Sequence, residues 1–325
     1  MLPGCTIKGV SPRWALIVHG GFLSPQRAQQ VAVVQEARAA LIAAVRAAGA
    51  ILDRDGSGMD AVEAAIMILE DCPQFDAGRG SALTAEGGVE MDAAIMRGQD
   101  LAAGAVAGVT RVRNPIRAAR AVLEHSTHVL LQGTGADQFA RQQGLDEATL
   151  AYFVTDRARD HLRAFQQQAV PANNDLGTVG CVVRDAGGQI TAGTSTGGIT
   201  NKLPGRIGDS PLIGAGTYAD SRVCGASATG QGEYFIRIAA THTLCALMEM
   251  KGLDLDTAME QVIRQRLSAL GGKGGMIALD PAGTLVARAN IPGLMFAALR
   301  SDGVSMTAFD DDVGSGHDAS ENHEH

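Results

Sequence analysis

Asn174-Asp175-Leu176-Gly177-Thr178-Val179-Gly180-Cys181-Val182-Val183-Arg184 sets a small-residue junction between a polar segment and an apolar run. The apolar run predicts a strand that starts at Thr178. Asp185-Ala186-Gly187-Gly188 is turn chemistry, and Gln189-Ile190-Thr191-Ala192-Gly193-Thr194-Ser195-Thr196 predicts the returning strand. Thr178 then opens a hairpin, and Thr196 closes its partner strand beside it. A threonine inside a chain is a poor nucleophile. If the peptide bond before Thr178 is cut, its own α-amine, with an unperturbed pKa of about 7.7–8.0, can serve as the base for its hydroxyl.

The chain beyond the hairpin supplies further groups. Gly197-Gly198-Ile199-Thr200-Asn201-Lys202-Leu203-Pro204-Gly205-Arg206-Ile207-Gly208-Asp209-Ser210-Pro211 reads as a loop with one cation and one anion three residues apart. Arg206 can clamp a carboxylate through two parallel hydrogen bonds, and Asp209 can hold an ammonium group. Together they suit a zwitterionic amino-acid head. A second strand, Val223 to Ala228, runs into Thr229-Gly230-Gln231-Gly232, with a helix expected from about Glu233. A hydroxyl and backbone N–H groups at such a strand-to-helix turn are suitable oxyanion donors.

Asn174 to Gly180, Thr194-Ser195-Thr196-Gly197-Gly198, Asn201 to Gly216 and Ala228-Thr229-Gly230-Gln231-Gly232-Glu233 together resemble the plant-type L-asparaginase/isoaspartyl peptidase family of N-terminal-nucleophile hydrolases. The likeness extends upstream through Leu69 to Gly80, Glu90 to Met96, Ala103 to Val109 and Arg113-Asn114-Pro115. Downstream it continues in Gly271 to Asp280, so it covers roughly residues 14 to 300 in order. Many long motifs in order are far more specific than one short pattern.

The resemblance implies an α/β (α+β) fold, a four-layer αββα sandwich, and a chain that cuts itself between Gly177 and Thr178. The products would be an α subunit, 1–177, and a β subunit, 178–325, of a single domain. Thr178 would attack the side-chain amide carbonyl of L-asparagine or the isopeptide carbonyl of a β-aspartyl peptide. Thr229 and Gly230 would stabilise the oxyanion, and Thr196 would assist the nucleophile. Arg206 would bind the substrate α-carboxylate and Asp209 its α-amine, with the Gly232 carbonyl. Leu69, Glu70, Cys72, Phe75, Ala77 and Arg79 match positions whose backbone carbonyls wrap a structural sodium ion in some members. Catalysis would need no cofactor, and the resemblance suggests a dimer of αβ units.

Two positions depart from the family pattern. Its His-Gly-Gly-Ala-Gly reads His19-Gly20-Gly21-Phe22-Leu23 here, which predicts a changed loop under the nucleophile. Its Phe-Asn-Ala-Gly reads Phe75-Asp76-Ala77-Gly78, so a carboxylate replaces an amide near the expected site. The expectation is that Asp76 alters turnover of free asparagine, to be tested by the kinetics of Asp76→Asn. Two rivals stay open. One is a glycosylasparaginase, against which Asn201 to Arg206 argues. The other is an uncleaved, inactive homologue that binds amino-acid-like ligands.

The remaining sequence agrees with a small-molecule enzyme. Glycine is abundant, 41 of 325 residues, against an average of about 7%, which suits close layers and many tight turns. The net charge of −8, without a Lys/Arg run, argues against a nucleic-acid partner. No apolar stretch nears the roughly 20 residues that span a membrane. The five cysteines, without a CxxC pair, read as free thiols in a cytoplasmic protein and make a zinc site improbable. Helices are expected over 27–48, from Ser57, and over 115–125, 135–143, 233–250 and 257–270. Strands are expected at Trp14 to Val18, Met276 to Ala278 and Leu285 to Ala289. Residues 153–177 read as an irregular polar segment and about 310–325 as a disordered tail.

Single residues have plainer readings: Thr178, Thr196 and Thr229 as ordinary strand hydroxyls, Arg206 and Asp209 as a surface ion pair, and His19 as a core histidine bonded to backbone. The last is preferred for His19. For the others, the motifs taken jointly favour catalysis.

Overall fold

The computed structural model describes residues 4–9, 11–167 and 177–308. Its strands are β1 Gly4–Ile7, β2 Ala15–Phe22, β3 Met91–Arg97, β4 Ala102–Val109, β5 Leu130–Gln132, β6 Val179–Arg184, β7 Ile190–Thr196, β8 Thr217–Asp220, β9 Cys224–Gly230, β10 Gly274–Leu279, β11 Leu285–Ala289, β12 Leu294–Arg300 and β13 Ser305–Thr307. They form an eight-stranded sheet, β13-β12-β2-β6-β7-β3-β4-β5, and a five-stranded sheet, β1-β11-β10-β9-β8. Pairing is antiparallel except between β4 and β5.

The first helices are α1 Pro25–Ala28, α2 Val31–Leu52, α3 Gly58–Asp71, α4 Pro115–His125, α5 Gly133–Gln142, α6 Leu150–Phe153 and α7 Asp156–Gln166. Of these, α2, α3 and α4 bury their apolar faces on the eight-stranded sheet. The later helices, α8 Gly232–Ile238, α9 Ala240–Lys251 and α10 Leu255–Glu260, continue into a π-helical run, Gln261–Leu267. They cover the five-stranded sheet. A third apolar cluster, including Ile17, Phe22, Val182, Ile190 and Ile277, lies between the sheets. The order is helix, sheet, sheet, helix, which is the four-layer arrangement expected.

Local chemistry accounts for the elements that frame the site. The α3 helix starts where the Ser57 hydroxyl accepts the Asp60 N–H at 3.1 Å. It then buries Ala61, Val62, Ala65, Ile66 and Leu69 at helical spacing. Along β6, Val179, Cys181 and Val183 face the helices while Val182 faces the other sheet. Gly180 sits against the other sheet: a Cβ there would lie 2.0 Å from the Ser227 hydroxyl.

Some expectations need correction. The segment 153–177 is not irregular throughout, because α7 occupies Asp156–Gln166. Its charged composition hid it. Thr155 caps its start by accepting the Ala158 N–H at 3.2 Å, and only Ala158 and Leu162 are buried. The helix expected over 233–250 breaks at Ala239, whose φ of 45° is left-handed, so α8 and α9 are separate. Phe22 extends β2 and is buried between the sheets, opposite Leu294. The aromatic ring is core, and the positive φ of 76° belongs to Gly21. The expected tail at 310–325 and the junction residues Asn174 to Leu176 lie outside the described residues.

Candidate active site

The hairpin of β6 and β7 pairs Val179 with Ser195 and Gly180 with Thr194, so Thr178 comes opposite Thr196. Side chains alternate across a sheet. Ser195 therefore points to the helices, where its hydroxyl donates to Glu70 at 2.6 Å, and Thr196 points between the sheets. The same alternation on β9 buries Ala226 and Ala228 against the helices and turns Ser227 and Thr229 inward. Thr178, just before β6, thus shares the inter-sheet layer with Thr196 of β7 and Thr229 of β9.

In the continuous chain, the Thr178 hydroxyl donates to the carbonyl of Gly177 at 2.5 Å and to the Thr196 hydroxyl at 3.1 Å. Thr196 contacts the same Gly177 carbonyl at 3.4 Å and accepts the Gly198 N–H at 2.9 Å. Both threonine side chains are buried. The nucleophile candidate, the bond it would cut and a second hydroxyl are held together before any cleavage.

Gly177 packs against Asp76, where an added Cβ would lie 2.2 Å from the Asp76 Cβ. Only glycine fits before the threonine without displacing the loop. Asp76 is itself buried; its carboxylate accepts the Ala82 N–H at 2.6 Å and its carbonyl accepts the Gly197 N–H at 3.0 Å. This departure from the family pattern therefore lies directly on the junction.

Thr229 is fully buried, and its hydroxyl has no hydrogen-bond partner among the described residues. An unpaired buried donor costs free energy, and here it is a donor kept in reserve between the sheets. Gly230 follows with φ 148°, and a Cβ there would lie 2.5 Å from the Lys273 carbonyl. The glycine lets the backbone turn out of β9 beside β10.

Arg206 and Asp209 meet at Gly232. A Cβ on Gly232 would lie 2.7 Å from Asp209 Oδ1 and 3.0 Å from Arg206 Nη2. The Oδ2 of Asp209 is buried without a partner among the described residues. Burial pushes the Asp209 carboxyl up to about 7, against the pull of its own backbone and of Arg206. Arg206 already holds a carboxylate: its Nε and Nη2 donate to Glu233 at 2.9 and 3.1 Å.

The sequence reading gave Lys202, Asp92 and Glu233 no role. Lys202 is buried, and its ammonium donates to the carbonyls of Glu90 at 2.6 Å and Gly197 at 3.0 Å. It fixes the backbone next to Thr196. Asp92, also buried, accepts the Gly108 N–H at 2.8 Å and the Gly208 N–H at 3.4 Å, tying β3 to the Arg206 loop. A lysine inside a glycine-rich loop was the one signal available for Lys202. His19 is the core histidine expected: its Nδ1 accepts the backbone N–H of Gly21 at 3.4 Å, while Nε2 pairs with a side chain, the Ser227 hydroxyl, at 2.9 Å. Burial lowers its pKa to about 3, which keeps the ring neutral.

Leu69, Glu70, Cys72, Phe75, Ala77 and Arg79 lie in the last turn of α3 and the loop after it. The carbonyls of Leu69, Glu70, Cys72 and Phe75 accept the N–H groups of Cys72, Arg79 and Phe75 and the guanidinium of Arg157 respectively. Each retains a second lone pair. Neutral carbonyl oxygens at the C-terminal end of a helix, where the dipole is negative, suit a hard cation, so the donor set fits sodium. Among the described residues no cluster of His, Cys, Asp and Glu could hold a metal ion.

The sequence profile of the Asparaginase family (Asparaginase_2) matches residues 12–309. The chain is similar to the isoaspartyl peptidase of Escherichia coli (strain K12), 42% identical over 86% of this chain and 90% of that protein. A probable isoaspartyl peptidase/L-asparaginase 2 of Arabidopsis thaliana is 40% identical over 89% of this chain and 97% of its own length. The isoaspartyl peptidase/L-asparaginase of Homo sapiens is 38% identical over 88% and 92%.

Proposed function

The chain belongs to the Asparaginase family, and from that premise we propose that it cuts itself before Thr178 and then hydrolyses β-aspartyl peptide bonds and the side-chain amide of L-asparagine, releasing L-aspartate. The observation that carries this reading is the Thr178 hydroxyl, 2.5 Å from the oxygen of its own preceding carbonyl and 3.1 Å from Thr196. The relatives' names support the substrate class.

In the first reaction the Thr178 oxygen attacks the Gly177 carbonyl carbon. The C–N bond breaks, the nitrogen takes the hydroxyl proton, and an ester forms. Water hydrolyses the ester, leaving Gly177 with a carboxylate and Thr178 with a free amine and hydroxyl. In the second reaction that amine takes the proton of the Thr178 hydroxyl as the oxygen attacks the substrate carbonyl. The Thr229 hydroxyl and the Gly230 N–H donate to the oxyanion, as preorganised donors do in acyl transfer. As the C–N bond breaks, the Thr178 ammonium returns its proton to the leaving nitrogen, which departs as ammonia or the peptide amine, and water then hydrolyses the aspartyl ester. Arg206 binds the α-carboxylate, and Asp209 with the Gly232 carbonyl binds the α-ammonium. Leu69, Glu70, Cys72, Phe75, Ala77 and Arg79 would hold a structural sodium ion that stiffens the Asp76 loop and takes no part in bond breaking. A dimer of αβ units and a cytoplasmic location complete the proposal. The second is supported by the five free thiols, and among the described residues no helix is long and apolar enough to cross a membrane.

Incubation of the purified chain with β-aspartyl dipeptides, asparagine and sugar-linked asparagine tests the reading, alongside denaturing mass spectrometry. Fragments meeting at Gly177/Thr178 with aspartate released from the first two substrates are expected. Preference for the sugar-linked substrate would transfer the chain to the glycosylasparaginase branch. A whole chain that binds aspartate without turnover would make it an inactive homologue.

Substrate binding should depend on pH through Asp209. With its pKa raised to about 7, the free carboxyl is protonated below that pH and its attraction for an ammonium is lost. The inhibition constant of L-aspartate should therefore rise as pH falls from about 8 to 6, approaching tenfold per unit on the acid side, since one proton must leave for each ligand bound. Asp209→Asn should flatten the profile at weak affinity. A constant that does not move over this range in the wild type would remove Asp209 as the ammonium partner.

A further inference from the structure

We propose that Glu233 is a built-in occupant of the substrate-carboxylate site: it closes the Arg206 fork in the resting enzyme, must leave for substrate to bind, and so sets the affinity for the substrate head group. The proposal rests on Arg206 and Asp209 being the head-group partners of the reading above.

The geometry leaves Arg206 one usable edge. The backbone runs close to Nη1: a Cβ built on Gly208 would lie 2.8 Å from it and one built on Gly198 3.4 Å. The Arg206 side chain is only 14% exposed. Its Nε–Nη2 edge is the edge Glu233 takes in parallel, bidentate fashion, the geometry that a substrate carboxylate would use. Nη2 is also the Arg206 atom nearest a Cβ built on Gly232, 3.0 Å away, with Asp209 Oδ1 at 2.7 Å from the same point. A zwitterion that reaches both Asp209 and the fork must enter where the Glu233 carboxylate sits.

Arg206 does not need Glu233 to hold it in place. The glycine backbones of Gly198, Gly208 and Gly232 already enclose its guanidinium. Glu233 is 55% exposed, so its carboxylate can swing into solvent by side-chain rotation alone. Burial raises the Glu233 carboxyl, but the hydrogen bonds and charge of Arg206 outweigh it and leave it below the usual value. It is therefore an anion whenever substrate arrives. It also crowds Asp209, whose carboxylate already shares the pocket with Asp92. Replacing Glu233 by a ligand that brings an ammonium with its carboxylate relieves that crowding.

The test compares wild-type, Glu233→Gln and Glu233→Ala enzymes. Each is first checked for complete cleavage at Gly177/Thr178 by mass spectrometry and for its melting temperature. KM for a β-aspartyl dipeptide and the dissociation constant of L-aspartate by calorimetry are then measured. Both constants should fall about three- to fivefold, the range expected for releasing a half-exposed ion pair, with kcat unchanged. A rise in both constants would show that Glu233 orients Arg206 instead, and unchanged constants would show that the contact does not compete; either overturns the proposal. If a variant does not process, the aspartate titration of the other decides. A wild-type enzyme that hydrolyses neither dipeptide nor asparagine would defeat the functional reading itself, whereas active wild type with unshifted variants defeats the Glu233 proposal alone.

Discussion

The Thr178→Ala chain is expected to remain whole on prolonged incubation and to hydrolyse neither β-aspartyl dipeptide nor asparagine, with activity down by at least about four orders of magnitude, as for loss of a catalytic nucleophile. Two losses coincide in this variant. The hydroxyl that sits 2.5 Å from the Gly177 carbonyl oxygen is gone, so the peptide bond is not transferred to an ester. With no cleavage there is also no free α-amine to serve as the base. The fold should survive: the position lies at the end of β6, and its partner Thr196 keeps the bond from the Gly198 N–H. Circular dichroism and melting temperature check that. Thr178→Ser restores the hydroxyl and should restore cleavage and turnover at reduced rates. A Thr178→Ala chain that still splits at Gly177 would assign the scission to another group.

Thr229→Val should separate the two reactions. Its hydroxyl is buried and without a partner among the described residues, so exchanging it for a methyl group strands no acceptor there. Stability should change by under about 1 kcal/mol, because no hydrogen bond is lost. Hydrolysis should suffer heavily, with kcat down about 10²- to 10³-fold and KM little changed, the pattern for removing one oxyanion donor. Cleavage at Gly177 should proceed much as in wild type, because the hydroxyls on the Gly177 carbonyl belong to Thr178 and Thr196. Thr196→Val is the complementary variant and should slow both reactions. Equal kcat in Thr229→Val and wild type would remove Thr229 from the oxyanion site.

Much of this was legible from the chain. The strand-turn-strand pattern around Asp185 to Gly188 predicted the hairpin, and the observed register sets Thr178 opposite Thr196. The helix start at Ser57 carried its own signal, since a hydroxyl three residues before a carboxylate is a local capping pattern. Elements with strong local signals, such as α4 at Pro115–His125, came out at the expected residues. The element hidden in 153–177 failed for a physical reason. Its apolar residues Ala158, Leu162 and Phe165 recur at helical spacing but are few among charged neighbours, and much of its support is tertiary: Arg157 reaches the carbonyls of Phe75 and Gly80.

The site divides along the same line. The candidates Thr178, Thr196, Thr229, Arg206 and Asp209 could be named because each sits in a contiguous stretch whose chemistry is local: a small-residue junction, strand ends, and a loop with paired charges. Their environments could not be. Glu233 on Arg206, Lys202 on the Glu90 carbonyl, Asp92 on the Gly208 N–H and Asp76 against Gly177 all join segments distant in the chain. Alternation along a strand decides which face a residue takes, and the sequence by itself determined that. Which groups from the other sheet and from the loops meet that face is set by how two sheets about 10 Å apart and their covering helices settle together. That packing, which no local pattern encodes, decided which donors stay unpaired and which charges are already spent.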